Sequence, residues 1–201
     1  MTAKHRTASR PGCDCCGARP TRRDVLALAS IGGLEAVAGS VATSAFAEPA
    51  DERPKRGDLL VPIDAAEMRP LAPTDVPATP LLAWPMDPAQ KIVRSGSRLN
   101  KVLLVALDPS MLVGATRERA ATGVVAYSAI CPHAGCEVSG WIAGENVIEC
   151  ACHNSRYNPR DAAAVIDGPS PRALSALPLE VMDGKLVVAK PFIGRLGVIP
   201  A

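Results

Sequence analysis

The sequence predicts an all-β fold, an antiparallel β-sandwich with a small subdomain built on loops between its strands. Three observations lead there. From residue 91 onward, short runs rich in β-branched residues recur: Lys101 to Leu107, Gly123 to Ile130, Glu145 to Glu149, Ala164 to Asp167, Pro178 to Val181 and Lys185 to Lys190, each of strand length. Turn signals separate them, namely Asp108-Pro109, Gly144-Glu145-Asn146 and Asp183-Gly184. Two boxes dense in Cys and His lie between these runs and therefore fall on loops, where a rigid sheet can present them at a surface.

Taken in chain order, residues 1 to 47 are the basic part. Of 22 Lys and Arg, six lie there (Lys4, Arg6, Arg10, Arg19, Arg22, Arg23), and of 20 acids only Asp14, Asp24 and Glu35, leaving 16 basic against 17 acidic residues. No basic patch remains to point to nucleic acid. Thr21-Arg22-Arg23-Asp24-Val25-Leu26 precedes an apolar run from Val25 to Ala47 and reads as a twin-arginine export signal, with Val25 where Phe or Leu is usual. Ala45-Phe46-Ala47 offers a cleavage site before Glu48, yet the run also has about the ~20 residues of a spanning helix. Glu35, Gly32, Gly33 and Gly39 weigh against a permanent anchor. Export helix and membrane anchor both stay open. The expected location is the periplasmic side of a bacterial inner membrane, with membrane association through an uncut helix or a partner. Cys13, Cys15 and Cys16 form one side only of any metal site and are assigned no role.

Residues 48 to 90 form a Pro-rich segment, from Pro49, Pro54 and Pro62 through Pro70, Pro73, Pro77, Pro80, Pro85 and Pro88. Such spacing excludes long helices and central strands and predicts extended or edge segments, with a linker near Glu48 to Gly57. Trp84 is expected to pack as a core or interface anchor. Residues 91 to 201 form the β domain. Within it, Asp183-Gly184 between Leu179-Glu180-Val181 and Leu186-Val187-Val188 is the strongest hairpin signal, because a two-residue turn needs residues that tolerate positive φ.

The boxes are Cys131-Pro132-His133-Ala134-Gly135-Cys136 and Cys150-Ala151-Cys152-His153-Asn154-Ser155-Arg156-Tyr157. They hold every Cys beyond residue 16 and every His beyond residue 5. One thiolate and one imidazole from each box make a Cys2His2 donor set. Tetrahedral zinc takes such a set, which would make the chain a zinc-stabilised binding module. A 2Fe-2S cluster with Cys on one iron and His on the other takes it equally. Zinc leaves Cys136 and Cys152 without a task, and its knuckles usually run CxxC, whereas each box here offers Cys then His.

The pattern CxHxGC followed by CxCHxSxY resembles the Rieske iron-sulfur proteins, specifically the high-potential, disulfide-containing branch of respiratory complexes. The resemblance covers residues 100 to 190 and implies a Rieske-type fold and a 2Fe-2S cluster. It implies Cys131 and Cys150 on one iron, His133 and His153 on the other, and a disulfide between Cys136 and Cys152, which an oxidising compartment permits. It also implies that the Ser155 and Tyr157 hydroxyls bond a bridging sulfide and a ligand sulfur. Donors aimed at sulfur favour the extra electron, so the potential is expected in the upper part of the Rieske span of about −150 to +300 mV. Gly168-Pro169-Ser170-Pro171 looks like the family's proline loop, a rigid cover for the cluster. Two departures stand out. Pro132 and Ala134 occupy positions where quinol-oxidising members carry Thr and Leu, and Asp161-Ala162-Ala163-Ala164 lacks the glycine usual after the second box.

By the same resemblance the chain is a one-electron carrier, the electron-transfer subunit of an oxidoreductase complex rather than a catalyst alone. One home is the iron-sulfur subunit of a cytochrome bc-type quinol oxidoreductase, beside a b-type cytochrome. The other is the small subunit of an arsenite-oxidase-like enzyme, beside a molybdopterin subunit, and either passes electrons to a c-type cytochrome or similar acceptor. In quinol-oxidising relatives the histidine corresponding to His153 takes a hydrogen bond from quinol and a proton on reduction, which implies a pH-dependent potential. Twin-arginine export carries folded cargo, which suits a protein whose cluster is inserted in the cytoplasm. A Rieske oxygenase needs two further His and a carboxylate for its catalytic iron. Only His5 lies outside the boxes.

Overall fold

The computed structural model describes residues 48–64 and 68–198. The twin-arginine segment, the expected export or anchor helix and Cys13, Cys15 and Cys16 lie outside those residues. Among the described residues no helix is long and apolar enough to cross a membrane.

The described chain is nearly all β. Its strands are β1 (Leu59–Pro62), β2 (Leu81–Asp87), β3 (Ile92–Val93), β4 (Val102–Ala106), β5 (Val124–Ser128), β6 (Gly140–Ile142), β7 (Val147–Cys150), β8 (Ser155–Asn158), β9 (Ala164–Asp167), β10 (Leu179–Met182) and β11 (Lys185–Val188). One short helix, α1 (Gly114–Arg119), precedes β5. The larger sheet runs β10-β11-β1-β2-β4-β5, with β3 also on β2, and the smaller runs β6-β7-β8-β9. All these pairings are antiparallel. The expected hairpin forms at Asp183 and Gly184, both at positive φ (+49° and +72°), joining β10 to β11.

Alternation along β4 and β5 explains the large sheet's position. Leu103, Val105, Val125 and Tyr127 enter one core with Cys131, Ile148, Cys150 and Tyr157, so they pack the large sheet against the small one. Val102, Leu104, Val124 and Ala126 enter a second core with Leu60, Leu177, Leu179 and Leu186. Burial on both faces is why these strands read as continuous apolar runs. The second core is enclosed because β5 meets the lead-in to β10: Leu177 N–H donates to Ala126 O (2.9 Å) and Ser128 N–H to Ser175 O (2.8 Å). Everything from the first box through β9 is therefore an insertion between β5 and the segment that closes the large sheet.

The reading that prolines bar central strands from residues 48 to 90 is corrected. β2 lies between β1 and β4, with Pro85 opposite Leu60. Its carbonyl accepts from Arg94 N–H (2.8 Å), so its missing N–H faces that same edge. There β4 has already ended, since its Val102 pairs with Ala83, and β3 takes up the edge; the bond Pro85 cannot donate to Arg94 O is replaced by one from Asn100 Nδ2 (3.1 Å). Trp84 is half-buried rather than central in a core, with Lys101 Nζ 5.3 Å from its ring centroid, a cation–π contact.

A buried ion cluster fastens the start of the domain. Arg94, 1 % exposed, donates from Nε (2.6 Å) and Nη2 (3.0 Å) to Asp58, itself 2 % exposed, and from Nη1 to Glu52 (2.7 Å). Asn100 Nδ2 donates to the carbonyls of Glu52 (2.8 Å) and Arg94 (3.1 Å). Surface carboxyls are also held. Asp75 sits below the usual carboxylate range, chiefly through the backbone N–H of Ala72 and then Arg69. Asp108 is lowered by the side chain and backbone of Ser110, and Asp87 by the backbone N–H groups of Gln90 and Ala89. Because folding lowers these pKa values, their stabilisation is present above the unfolded value of about 3.9 and is lost as pH falls through the folded values. Denaturation curves are therefore expected to shift little between pH 8 and 5 through these groups and to lose stability below about pH 4.

Candidate metal centre

The two boxes fold as equivalent turns. In the first, Cys131 O accepts from Gly135 N–H (3.0 Å); in the second, Cys150 O accepts from Asn154 N–H (2.9 Å). Gly135 and Asn154 close these turns at φ +73° and +56°. Gly enters that region freely and Asn more readily than other side chains do, so a Gly or Asn four residues after each leading Cys is the sequence signal for the shared geometry. The sequence reading did not use it. Cys131 N–H also donates to Cys136 O (2.8 Å), and Cys150 ends β7 opposite Ser155 at the start of β8.

The turns have a buried side and an exposed side. Cys131 and Cys150 are free thiols, 2 % and 1 % exposed, within the core between the sheets. His153 is exposed and His133 half-buried, their rings edge to face with centroids 4.6 Å apart. Cys136 and Cys152 form the expected disulfide, with Cα atoms 6.6 Å apart, and it ties one turn to the other. The Cys150 sulfur lies within 4.8 Å of both disulfide sulfurs. Those two are covalently satisfied, which leaves Cys131 and Cys150 as the free thiols among the described residues. Burial pushes the Cys150 thiol up. His133 Nδ1 is buried without a hydrogen-bond partner. An imidazole nitrogen in that position is costly unless it meets a metal, so the donor set fits a bound metal group.

Period-two geometry brings both predicted hydroxyls inward from β8, where Ser155 and Tyr157 are fully buried. Tyr157 Oη lies 3.2 Å from Cys131 Sγ. Burial first, and then the Cys131 thiol, push the Tyr157 hydroxyl well above its ordinary range, so it stays protonated. Ser155 Oγ accepts from Ser170 N–H (3.1 Å) and keeps its own proton free to donate. Gly168 makes this approach possible. At φ +83°, an added Cβ would stand 2.5 Å from Ser155 Cα and 2.7 Å from Asn154 O. The proline loop thus lies directly on the backbone of the second box.

At the position noted for its missing glycine, Ala162 and Ala163 take φ +46° and +48°. Alanine pays roughly 1–2 kcal/mol for each such residue. Ala162 N–H donates to Thr116 Oγ1 (2.7 Å), which supports the turn from α1. The structure gathers all eight predicted site residues at one tip: Cys131, His133, Cys136, Cys150, Cys152, His153, Ser155 and Tyr157. Sequence reasoning missed Arg98, which donates to Gly135 O, and Arg172, which follows the proline loop. An isolated Arg on a loop carries no signal of either role.

A two-sheet antiparallel domain whose tip joins two Cys-His turns through a disulfide defines an iron-sulfur electron carrier. The Rieske 2Fe-2S domain family matches residues 99–178. A Haloferax mediterranei protein named for a respiratory nitrate reductase Rieske subunit is 33 % identical over 185 residues, covering 88 % of this chain and 80 % of its own length. The cytochrome bc1 complex Rieske iron-sulfur subunit of Streptomyces lividans is 32 % identical over 132 residues, covering 64 % of this chain and 76 % of its own. Among solved structures, the soluble domain of Rieske protein II from Sulfolobus acidocaldarius aligns at TM-score 0.38 and 20 % identity, covering 50 % of this chain and 67 % of that one. The chain belongs to the Rieske iron-sulfur family, and its cofactor is a Rieske-type 2Fe-2S cluster. That sets aside the zinc-stabilised module.

Proposed function

We propose that this chain is the Rieske subunit of an exported respiratory oxidoreductase complex, carrying single electrons between a partner subunit and a c-type cytochrome or similar acceptor. The observation that carries the reading is the polarity of the tip, with thiols sealed in the core and imidazoles turned outward. In this reading Cys131 and Cys150 hold one iron and His133 and His153 the other. The bound cluster supplies one reversible electron and no bond chemistry. The protein's own groups shield the thiolate side, hold the turns together through Cys136 and Cys152, and present His133 and His153 as the face a partner approaches. Residues 1 to 47 act as the twin-arginine segment, cleaved or kept as an anchor on the periplasmic side. Residues 91 to 201 hold the cluster-bearing domain, to which the Pro-rich stretch of 48 to 90 contributes β1 and β2.

The buried donors support a high potential. The Tyr157 hydroxyl stabilises negative charge on Cys131 Sγ, and Ser155 has a proton available for a second sulfur acceptor. Tyr157→Phe is expected to retain the cluster while lowering its midpoint by roughly 20–60 mV, the worth of one hydrogen bond of about 0.5–1.5 kcal/mol in a one-electron couple. A redox titration followed by electron paramagnetic resonance measures it, and an unchanged midpoint removes Tyr157 as a tuning group.

The exposed Ala134 puts a small side chain on the first box, where quinol-oxidising relatives carry Leu. This favours a molybdopterin-type catalytic partner, as in arsenite-oxidase-like enzymes, over quinol docking on a b-type cytochrome. One relative is named for a respiratory nitrate reductase and others for cytochrome bc1 and b6-f complexes, so the names support a respiratory complex and leave the choice of home to the tip itself. Purification of the native complex tests it: a molybdopterin subunit is expected, and b-type haem with quinol activity would establish the bc-type home instead. A colourless protein holding zinc and giving no reduced-state resonance signal would defeat both.

A further inference from the structure

Arg172 follows the loop Gly168-Pro169-Ser170-Pro171, and the electron-carrier reading has so far given it no task. Its Nη2 donates to the carbonyls of Arg195 (3.3 Å) and Gly197. Ser175 Oγ donates to the same Arg195 carbonyl (2.8 Å), and Ala176 and Ile193 exchange backbone hydrogen bonds of 3.0 and 2.7 Å. Together these pin residues 193 to 198 as a strap. Its far end lies against the first box, where Val198 Cγ2 would stand 3.3 Å from a Cβ on Gly135. Gly197 passes Leu99 so closely that an added Cβ would meet Leu99 Cδ2 at 2.9 Å, and Arg98 beside it donates to Gly135 O. Arg172 thereby connects the loop lying on the second box to the strap lying on the first.

A separate observation concerns charge. Nε and Nη1 of Arg172 are buried and have no hydrogen-bond partner. Among the described residues no carboxylate pairs with it. The adjoining concavity of about 270 Å³ is lined by Arg119 and Arg195 as well, and by no acidic residue. The Arg172 side chain as a whole is half-buried and keeps its charge, so with two nitrogens sealed from water and no carboxylate beside it, it favours a negative group nearby. Two ferric ions, two sulfides and two thiolates sum to zero charge, and one added electron makes the whole negative. A half-buried cation on the flank of the turns stabilises that reduced state.

We infer that Arg172 is a positioning residue for electron transfer: it clamps the C-terminal strap against the first box and sets a half-buried positive charge beside the cluster-binding turns, raising the reduction potential. The inference rests on the cluster reading above. It is tested on the full chain with R172K and R172Q, measuring cluster content by visible and resonance spectra and the midpoint by redox titration. At an ambient potential equal to the wild-type midpoint, the ratio of reduced to oxidised protein in R172Q is expected to fall about tenfold, because removing a nearby positive charge disfavours the added electron. R172K, which keeps the charge, is expected to restore most of that ratio. An unshifted midpoint in R172Q overturns the inference, and so does a shift in R172K as large as in R172Q. Cluster loss in both variants, with an unshifted midpoint in whatever cluster remains, marks a purely structural arginine and also overturns it. A wild-type protein without a reduced-state signal would be a different failure, that of the cluster reading itself.

Discussion

Cys131→Ser is expected to yield a colourless protein without a reduced-state resonance signal, while Cys136→Ser keeps the signal in a less stable protein. The reason lies in the two states of sulfur at one tip. Cys131 is a buried free thiol beside Tyr157 Oη, whereas Cys136 is spent in a disulfide with Cys152. A serine hydroxyl is a poor substitute for thiolate on iron, so losing Cys131 removes a donor that no neighbour replaces. Losing Cys136 unties the turns, which are 16 residues apart in sequence at the bridge, and costs about 3 kcal/mol by loop closure. Visible spectra and iron content separate the outcomes. Equal cluster loss in both variants would leave no division of labour among the cysteines, and a coloured Cys131→Ser protein would overturn the ligand set.

Arg94→Ala is expected to destabilise the domain by about 3–5 kcal/mol, because it strands the Asp58 carboxylate in a buried position with one backbone donor, Lys55 N–H at 2.8 Å. The loss extends to the ties that hold residues 49 to 58: Arg94 Nη1 also reaches Pro49 O (3.2 Å) and Glu52. Removing both charges in Arg94→Met with Asp58→Leu is expected to cost far less, since paired desolvation disappears with the pair. Urea denaturation of the two variants measures the difference. A double variant no better than Arg94→Ala would show that the apolar replacements fail to fill the space, and a single variant near wild type would show that the pair adds little.

Much of the site was legible because its chemistry is local. The Cys and His residues, their order, and the Ser-x-Tyr spacing that turns both hydroxyls to one face of β8 are properties of eight consecutive residues and one earlier box. Strands β4, β5, β7 and β9 to β11 were legible through their β-branched runs and turn pairs. β1 and β2 were not, since Pro62 and Pro85 argue against strands until the neighbour on each edge is known. β6 and β8 were hidden by Gly140 and by the polar alternation Ser155-Arg156-Tyr157-Asn158, whose inward face appears only when the thiols lie beneath it. Ala162 and Ala163 show the opposite case, a backbone conformation that local preference disfavours and the Thr116 contact supports.

By itself the sequence determined the all-β class and, through the resemblance its two boxes carry, the iron-sulfur family, because Cys and His spacing and strand periodicity are written in neighbouring residues. Only the tertiary structure decided which sulfurs are buried and which are joined, that a proline-bearing strand sits inside the large sheet, and that Arg172 ties the strap to the proline loop. These depend on contacts between residues far apart in the chain, where burial, edge pairing and unpaired charge acquire their meaning.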